Sequence, residues 1–139
     1  MSVAVDTSAY LALASPDDAR HQRATQMYHR LLAEGQELVT TAYVVLETVA
    51  LLQRRIGLDA ARAFRMSLSG ATRIIWVDRD LHEAAWDELE RVGRRDVSLA
   101  DCCLAVAAQR EGIADVFAFD PHFQMWGLRP VHIPRAEGH

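Results

Sequence analysis

The chain has 139 residues, half of them hydrophobic and 24% charged, a balance that fits one globular domain and excludes a disordered or fibrous chain. Its formal net charge is −4, so bulk charge does not mark a nucleic-acid binder, but all 15 of its basic residues are Arg, the side chain best suited to gripping phosphate. No apolar run reaches the ~20 residues of a membrane span, no basic leader precedes an apolar stretch, and the adjacent Cys102 and Cys103 argue against a disulfide framework, so a reduced, cytoplasmic protein is expected.

Taken in chain order, Val3 to Val5 reads as a short buried strand and residues 7–15 as a helix. Residues 17–34 place Ala24, Met27, Leu31 and Leu32 on one helical face, and Gly35 ends them. Residues 37–40 suit a second strand. Residues 42–55 form a strongly apolar helix stopped by Gly57, and residues 59–68 another stopped by Gly70. RIIWV, at 73–77, reads as a strand with Trp76 in the core. Residues 81–92 are amphipathic, with Leu81, Ala85 and Leu89 on one side and Trp86 off that stripe. Residues 98–111 form a nearly wholly apolar helix. VFAF, at 116–119, is a strand, and residues 130–133 a last short one. Trp126, in the loop between them, is expected to pack. Residues 1–134 are expected to form one domain, and residues 135–139 a flexible tail. Strands alternating with helices predict an α/β sandwich around a mostly parallel sheet. Charge is uneven along this pattern. Between Ala42 and Trp76 five Arg stand against Glu47 and Asp59, a local +3 in an acidic chain.

Four carboxylates stand where carboxylates are uncomfortable. Asp6 follows the strand VAV and Asp120 follows VFAF, both at carboxyl ends of strands, where open α/β sheets gather ligands. Glu47 shares a helical face with Tyr43, Val44, Ala50 and Leu51, and Asp101 lies near the start of the most apolar helix. Three of the four have a purely structural reading. Asp6 can cap the helix after it, Ser98 and Asp101 fit a capping box, and Asp120 before Pro121 fits an N-cap. Glu47 is too deep in its helix to cap it, and a buried unpaired carboxylate is costly. Converging in one pocket, the four would repel unless a cation neutralised them. Oxygen-only ligation suits Mg²⁺ or Mn²⁺, ions that serve phosphoryl chemistry by activating water and stabilising a leaving oxygen.

The acids and their surroundings resemble the PIN-domain nucleases, and within them the VapC-type toxins of toxin–antitoxin pairs. The matching pieces are VDTSA at the start, TTAYVVLETVALL, VSLADCCLAVAAQREGI, and AFDPHF followed by LRPV. Together they run from residue 3 to about 131. The resemblance implies a PIN-like three-layer sandwich, a mostly parallel twisted sheet flanked by helices. It implies a metal-dependent endoribonuclease with Asp6, Glu47 and Asp101 as the main acidic constellation and Asp120 as a more variable fourth member. Thr7 or Ser8 would orient Asp6, and Ser98 would hold the loop before Asp101. It also implies an RNA substrate, a homodimer, and a cognate VapB-type antitoxin whose tail occupies the active-site groove. Many relatives carry a hydroxyl two positions before the last acid, where this chain has Ala118. Rim arginines, with Arg54, Arg55 and Arg94 as candidates, would hold RNA phosphates. His122 reads as a surface residue in a turn, with a role as proton carrier beside Asp120 as the alternative.

Other readings fit less well. An aspartate-nucleophile phosphatase with Asp6 as nucleophile expects a second Asp at position 8, where Ser8 stands, and a Lys. A phosphoacceptor receiver domain needs a Lys as well, and a P-loop needs Gly-Lys-Ser/Thr. A non-catalytic PIN-like scaffold and a housekeeping RNA-processing nuclease of the same fold remain as alternatives.

Overall fold

The structure, a computed structural model, describes residues 1–68 and 70–132. In chain order the elements are β1 (Ser2–Val5), α1 (Thr7–Ala14), α2 (His21–Ala33), β2 (Glu37–Thr41), α3 (Ala42–Arg55), α4 (Leu58–Leu68) and β3 (Thr72–Ile75). They continue with α5 (Arg79–Val92), α6 (Leu99–Arg110), β4 (Asp115–Phe117), a 3₁₀ turn (Pro121–Trp126) and β5 (Arg129–Pro130).

The strands pair in the order β3-β2-β1-β4-β5, all parallel. Parallel sheets need both faces covered, and the central strands are accordingly continuous apolar runs. Val3, Ala4, Val5, Leu38, Val39, Val116 and Phe117 are all buried. Two successive connections carry the chain outward from β1 to β2 to β3, and the third returns it past β1 to β4. Right-handed crossovers therefore put α1 to α4 on one face and α5 and α6 on the other. The packing agrees: α1 touches α2, α3 and α4, while α5 packs on α6. Helix α3 also contacts α6, so it spans the end of the sheet between the two helical layers.

This is the α/β sandwich expected from the alternation of elements, with local differences. The helix expected from residue 17 starts only at His21. Asp18 instead takes the Arg20 backbone N–H at 2.7 Å, an Asx-type turn that competes with helix. The strand expected over 73–77 ends at Ile75, and Trp76, placed in the core by the sequence, is 76% exposed. Strand β3 is at the sheet edge and has no outer neighbour to extend it. Strand β4 stops at Phe117, and the last strand is Arg129–Pro130, with Ile133 and residues 135–139 outside the described residues. Among the described residues no helix is long and apolar enough to cross a membrane. Cys102 and Cys103 are free and buried in α6, as small hydrophobes.

Candidate active site

The strand order reverses between β1 and β4, and the crevice beyond their carboxyl ends is where such sheets bind ligands. Asp6 is the first residue past β1. Its backbone N–H donates to the Phe117 carbonyl at 3.1 Å, tying the ends of β1 and β4 together. Its side chain caps α1, with Oδ2 accepting from the Ser8 N–H at 3.2 Å and the Ser8 hydroxyl at 2.9 Å. The capping reading is thus correct but incomplete. Oδ1 is buried and has no hydrogen-bond partner among the described residues. An acid needed only as a cap has no reason to leave one oxygen orphaned in the interior.

Ser8 extends the arrangement. Its Oγ also accepts the Phe119 N–H at 2.9 Å, so a chain of bonds runs from the end of β4 through Ser8 to Asp6. Ala118, two positions before Asp120, is buried. Asp120 follows, at the N-cap position of the 3₁₀ turn, but its side chain makes no cap hydrogen bond.

The capping box of α6 is present in full. Ser98 Oγ accepts the Asp101 N–H at 3.0 Å, and Asp101 Oδ2 accepts the Ser98 N–H at 2.9 Å. The same Oδ2 lies 3.1 Å from Nε2 of His122. That approach is off the angle of a hydrogen bond, so Nε2 counts as buried without a partner. His122 is not the surface residue that a turn histidine suggests. It is buried against Phe123 and Trp126, with ring centroids 4.8 and 6.2 Å away. Pro121 opens a tight turn that swings position 122 back over α6, and the aromatics at 123 and 126 were the signal for it. Trp126 packs, as expected, and donates its indole N–H to Glu88 at 2.8 Å.

Electrostatics link all four acids. Burial, and then the charge of Asp101, push the Asp6 carboxyl up from 3.8 to about 8. Burial also raises Glu47, opposed by the nearby Thr7 and Ser98 hydroxyls and reinforced by Asp101 and Asp120. Each acid therefore lies in the field of another, although they come from the ends of β1 and β4 and from the helices α3 and α6. Glu47 reaches the group because α3 spans the end of the sheet. Among the described residues no group of three or more His, Cys, Asp or Glu side chains is gathered closely enough to hold a metal ion. Mg²⁺ does not require such a group, since it takes one or two carboxylates and keeps several waters. An orphaned, buried carboxylate oxygen, an oxygen-only donor set and the upward shifts of Asp6 and Glu47, due first to burial, fit a hard divalent cation.

Of the arginines expected at the rim, Arg54 and Arg55 occupy the last turn of α3, seven and eight residues beyond Glu47, roughly 10–12 Å along the helix axis. Arg94 holds Asp96 through two contacts, at 3.0 and 2.5 Å.

These features have counterparts among known proteins. A family model described as "PIN domain" matches residues 3–125. The 23S rRNA-specific endonuclease VapC20 from two strains of Mycobacterium tuberculosis is 35% identical over 128 residues, covering 91% of this chain and 95% of that protein. The crystal structure of M. tuberculosis VapC20, described as a sarcin-ricin loop cleaving toxin, superposes with a TM-score of 0.82 at 36% identity, covering 95% of this chain and 99% of that one. VapBC2 from Rickettsia felis, bound to a promoter DNA fragment, matches with a TM-score of 0.70 at 14% identity, over 96% and 100% of the two chains. FitAcB from Neisseria gonorrhoeae gives 0.61 at 15%, over 95% and 97%. The last two likenesses are of fold alone.

Proposed function

The chain belongs to the PIN-domain family, and from that premise we propose that it is a metal-dependent endoribonuclease, the toxin of a toxin–antitoxin pair, whose substrate is a loop of large-subunit ribosomal RNA. The observation that supports this reading is the placement of Asp6 and Asp120 just beyond β1 and β4 at the switch point of the sheet, with Asp6 left with an unpartnered buried Oδ1 among the described residues. Similarity to VapC20, named as a 23S rRNA endonuclease, supports the substrate class.

Residues 1–134 act in this proposal as one nuclease domain. Mg²⁺, or Mn²⁺ in its place, would be held by Asp6, Glu47, Asp101 and Asp120 and would supply charge for the phosphate and a more acidic water. Asp6 presents Oδ1 because Ser8 occupies its Oδ2. Asp101 is fixed by the capping box, leaving its rotamer no freedom to drift. Ser98 holds the loop before Asp101 through the same capping box. His122 closes the site on the side of the 3₁₀ turn, with Nε2 3.1 Å from Asp101 Oδ2. The partners in this reading are RNA, a cognate VapB-type antitoxin and a second copy of the chain. Apolar side chains exposed on α3 and α4, Leu46 and Met66 among them, support a protein-binding face.

The test is cleavage of total cellular RNA by purified protein, with Mg²⁺ in one arm and EDTA in the other, and with Asp6→Asn and Glu47→Gln alongside. Discrete fragments from large-subunit rRNA that need the metal and both acids are expected, with each substitution costing at least ~100-fold in rate. Cleavage that persists in EDTA, or in Asp6→Asn, would remove the metal mechanism.

A further inference from the structure

Phe119, the residue before Asp120, carries two cations. The guanidinium carbon of Arg20 lies 4.8 Å from its ring centroid and that of Arg23 lies 5.5 Å away. Both arginines belong to the start of α2, far in sequence from Phe119. The cluster is built rather than incidental. The Phe119 backbone is fixed by the Ser8 hydroxyl that also binds Asp6, so the ring is two hydrogen bonds away from that acid. Arg20 is held from its other side, since its backbone N–H and its Nε both reach Asp18 Oδ1, at 2.7 and 3.5 Å. The late start of α2 is what forms this turn and aims the arginine.

Each guanidinium gains from the ring quadrupole, and Arg20 is also paired with Asp18, so the cluster is held in place on the protein. A guanidinium stacked on an aromatic ring directs its N–H donors out along its edge, in the planar fork that suits paired hydrogen bonds to phosphate. The position also meets a need of the site. On the nuclease reading, acids in a chain of net charge −4 must hold a polyanion, and cations on the residue next to Asp120 supply local attraction there.

We propose that Arg20 and Arg23, stacked on Phe119, grip an RNA phosphate flanking the scissile one and so set the path of the strand across the acids. This rests on the nuclease reading above and assigns its substrate contacts to α2 instead of to Arg54, Arg55 or Arg94.

The test is binding of a fluorescent, mixed-sequence, single-stranded oligoribonucleotide across a KCl series. An Asp6→Asn background keeps the strand intact. Replacing both arginines (Arg20→Ala with Arg23→Ala) is expected to weaken binding at least tenfold near ~0.1 M salt. It is also expected to reduce the slope of log K against log salt by about 0.7 for each phosphate that is no longer gripped. Replacing both with Lys restores the slope but only part of the affinity, and Phe119→Leu weakens binding while the slope stays near that of the parent. These last two variants decide the matter if the Ala pair lowers the melting temperature. Unchanged affinity and slope in folded double variants would overturn the clamp, while Mg²⁺-dependent cleavage by the wild type would leave the nuclease reading standing. A wild type that neither cleaves total RNA nor binds the oligonucleotide would overturn both.

Discussion

Asp6 shows how one side chain meets two demands. Its Oδ2 satisfies backbone and hydroxyl donors at the start of α1, and its Oδ1 is kept without a partner in the interior. The second demand has a thermodynamic signature. Unfolded, the carboxyl titrates near 3.8; folded, burial and Asp101 hold it up to about 8. Between these values the folded state binds the extra proton, so this contribution to stability is complete below the unfolded value and is lost as pH rises through the folded one. Glu47 shifts in the same direction. The melting temperature of metal-free protein is therefore expected to fall between about pH 5 and pH 8, and Asp6→Asn to flatten that fall. Mg²⁺ should recover most stability at the alkaline end, because it binds the deprotonated acids of the folded state. A pH profile identical in wild type and Asp6→Asn would show that Asp6 is not the strained acid. At this scale the sequence was readable where a residue type conflicts with its pattern, as with Glu47 on an apolar helix. His122 was not, because its burial depends on α6 lying beneath a turn that is distant in sequence.

Helix α6 joins folding to the site at the level of an element. The stretch SLAD is both a capping box and the mount of Asp101, so the signal that starts the helix also aims the acid. Ser98→Ala is expected to cost about 1 kcal/mol, read as a drop of roughly 2–6 °C in melting temperature. It should lower RNA cleavage as well, because Ser98 also lies against Glu47. Ser98→Thr, which preserves the cap, should recover both. Cleavage that stays at the wild-type rate in Ser98→Ala, despite the lower melting temperature, would mean that the box serves the fold alone. Helix α3 was legible to its ends because Thr41 caps its start and Gly57 follows its last turn. The start of α2 was not, since Asp18 turns the backbone at a point where helical periodicity had already begun.

The whole molecule decides which apolar residues are core. Trp76 sits in RIIWV and reads as buried, yet β3 ends one residue earlier at the sheet edge and leaves the ring exposed. With Val45, Val49, Leu58, Phe64 and Leu68 it lines an apolar groove between α3, α4 and β3. A face of this kind on a small domain marks a protein contact. Trp76→Arg is therefore expected to leave the stability of the isolated chain within ~0.5 kcal/mol of wild type, as surface substitutions usually do. For the proposed homodimer, it should also reduce the mass measured by light scattering. A dimeric mass unchanged by the substitution would move self-association away from this face. The sequence by itself determined the elements, their alternation and the parallel α/β class, and it singled out the four acids as candidates, because periodicity, caps and misplaced charges are local properties of the chain. Only the tertiary structure decided that α3 crosses the end of the sheet, that the acids feel one another, that His122 faces Asp101 and that Arg20 and Arg23 stack on Phe119. Those relations follow from strand order and crossover handedness, which bring together residues as far apart in the chain as Ser8 and Phe119, and no local pattern encodes such distances.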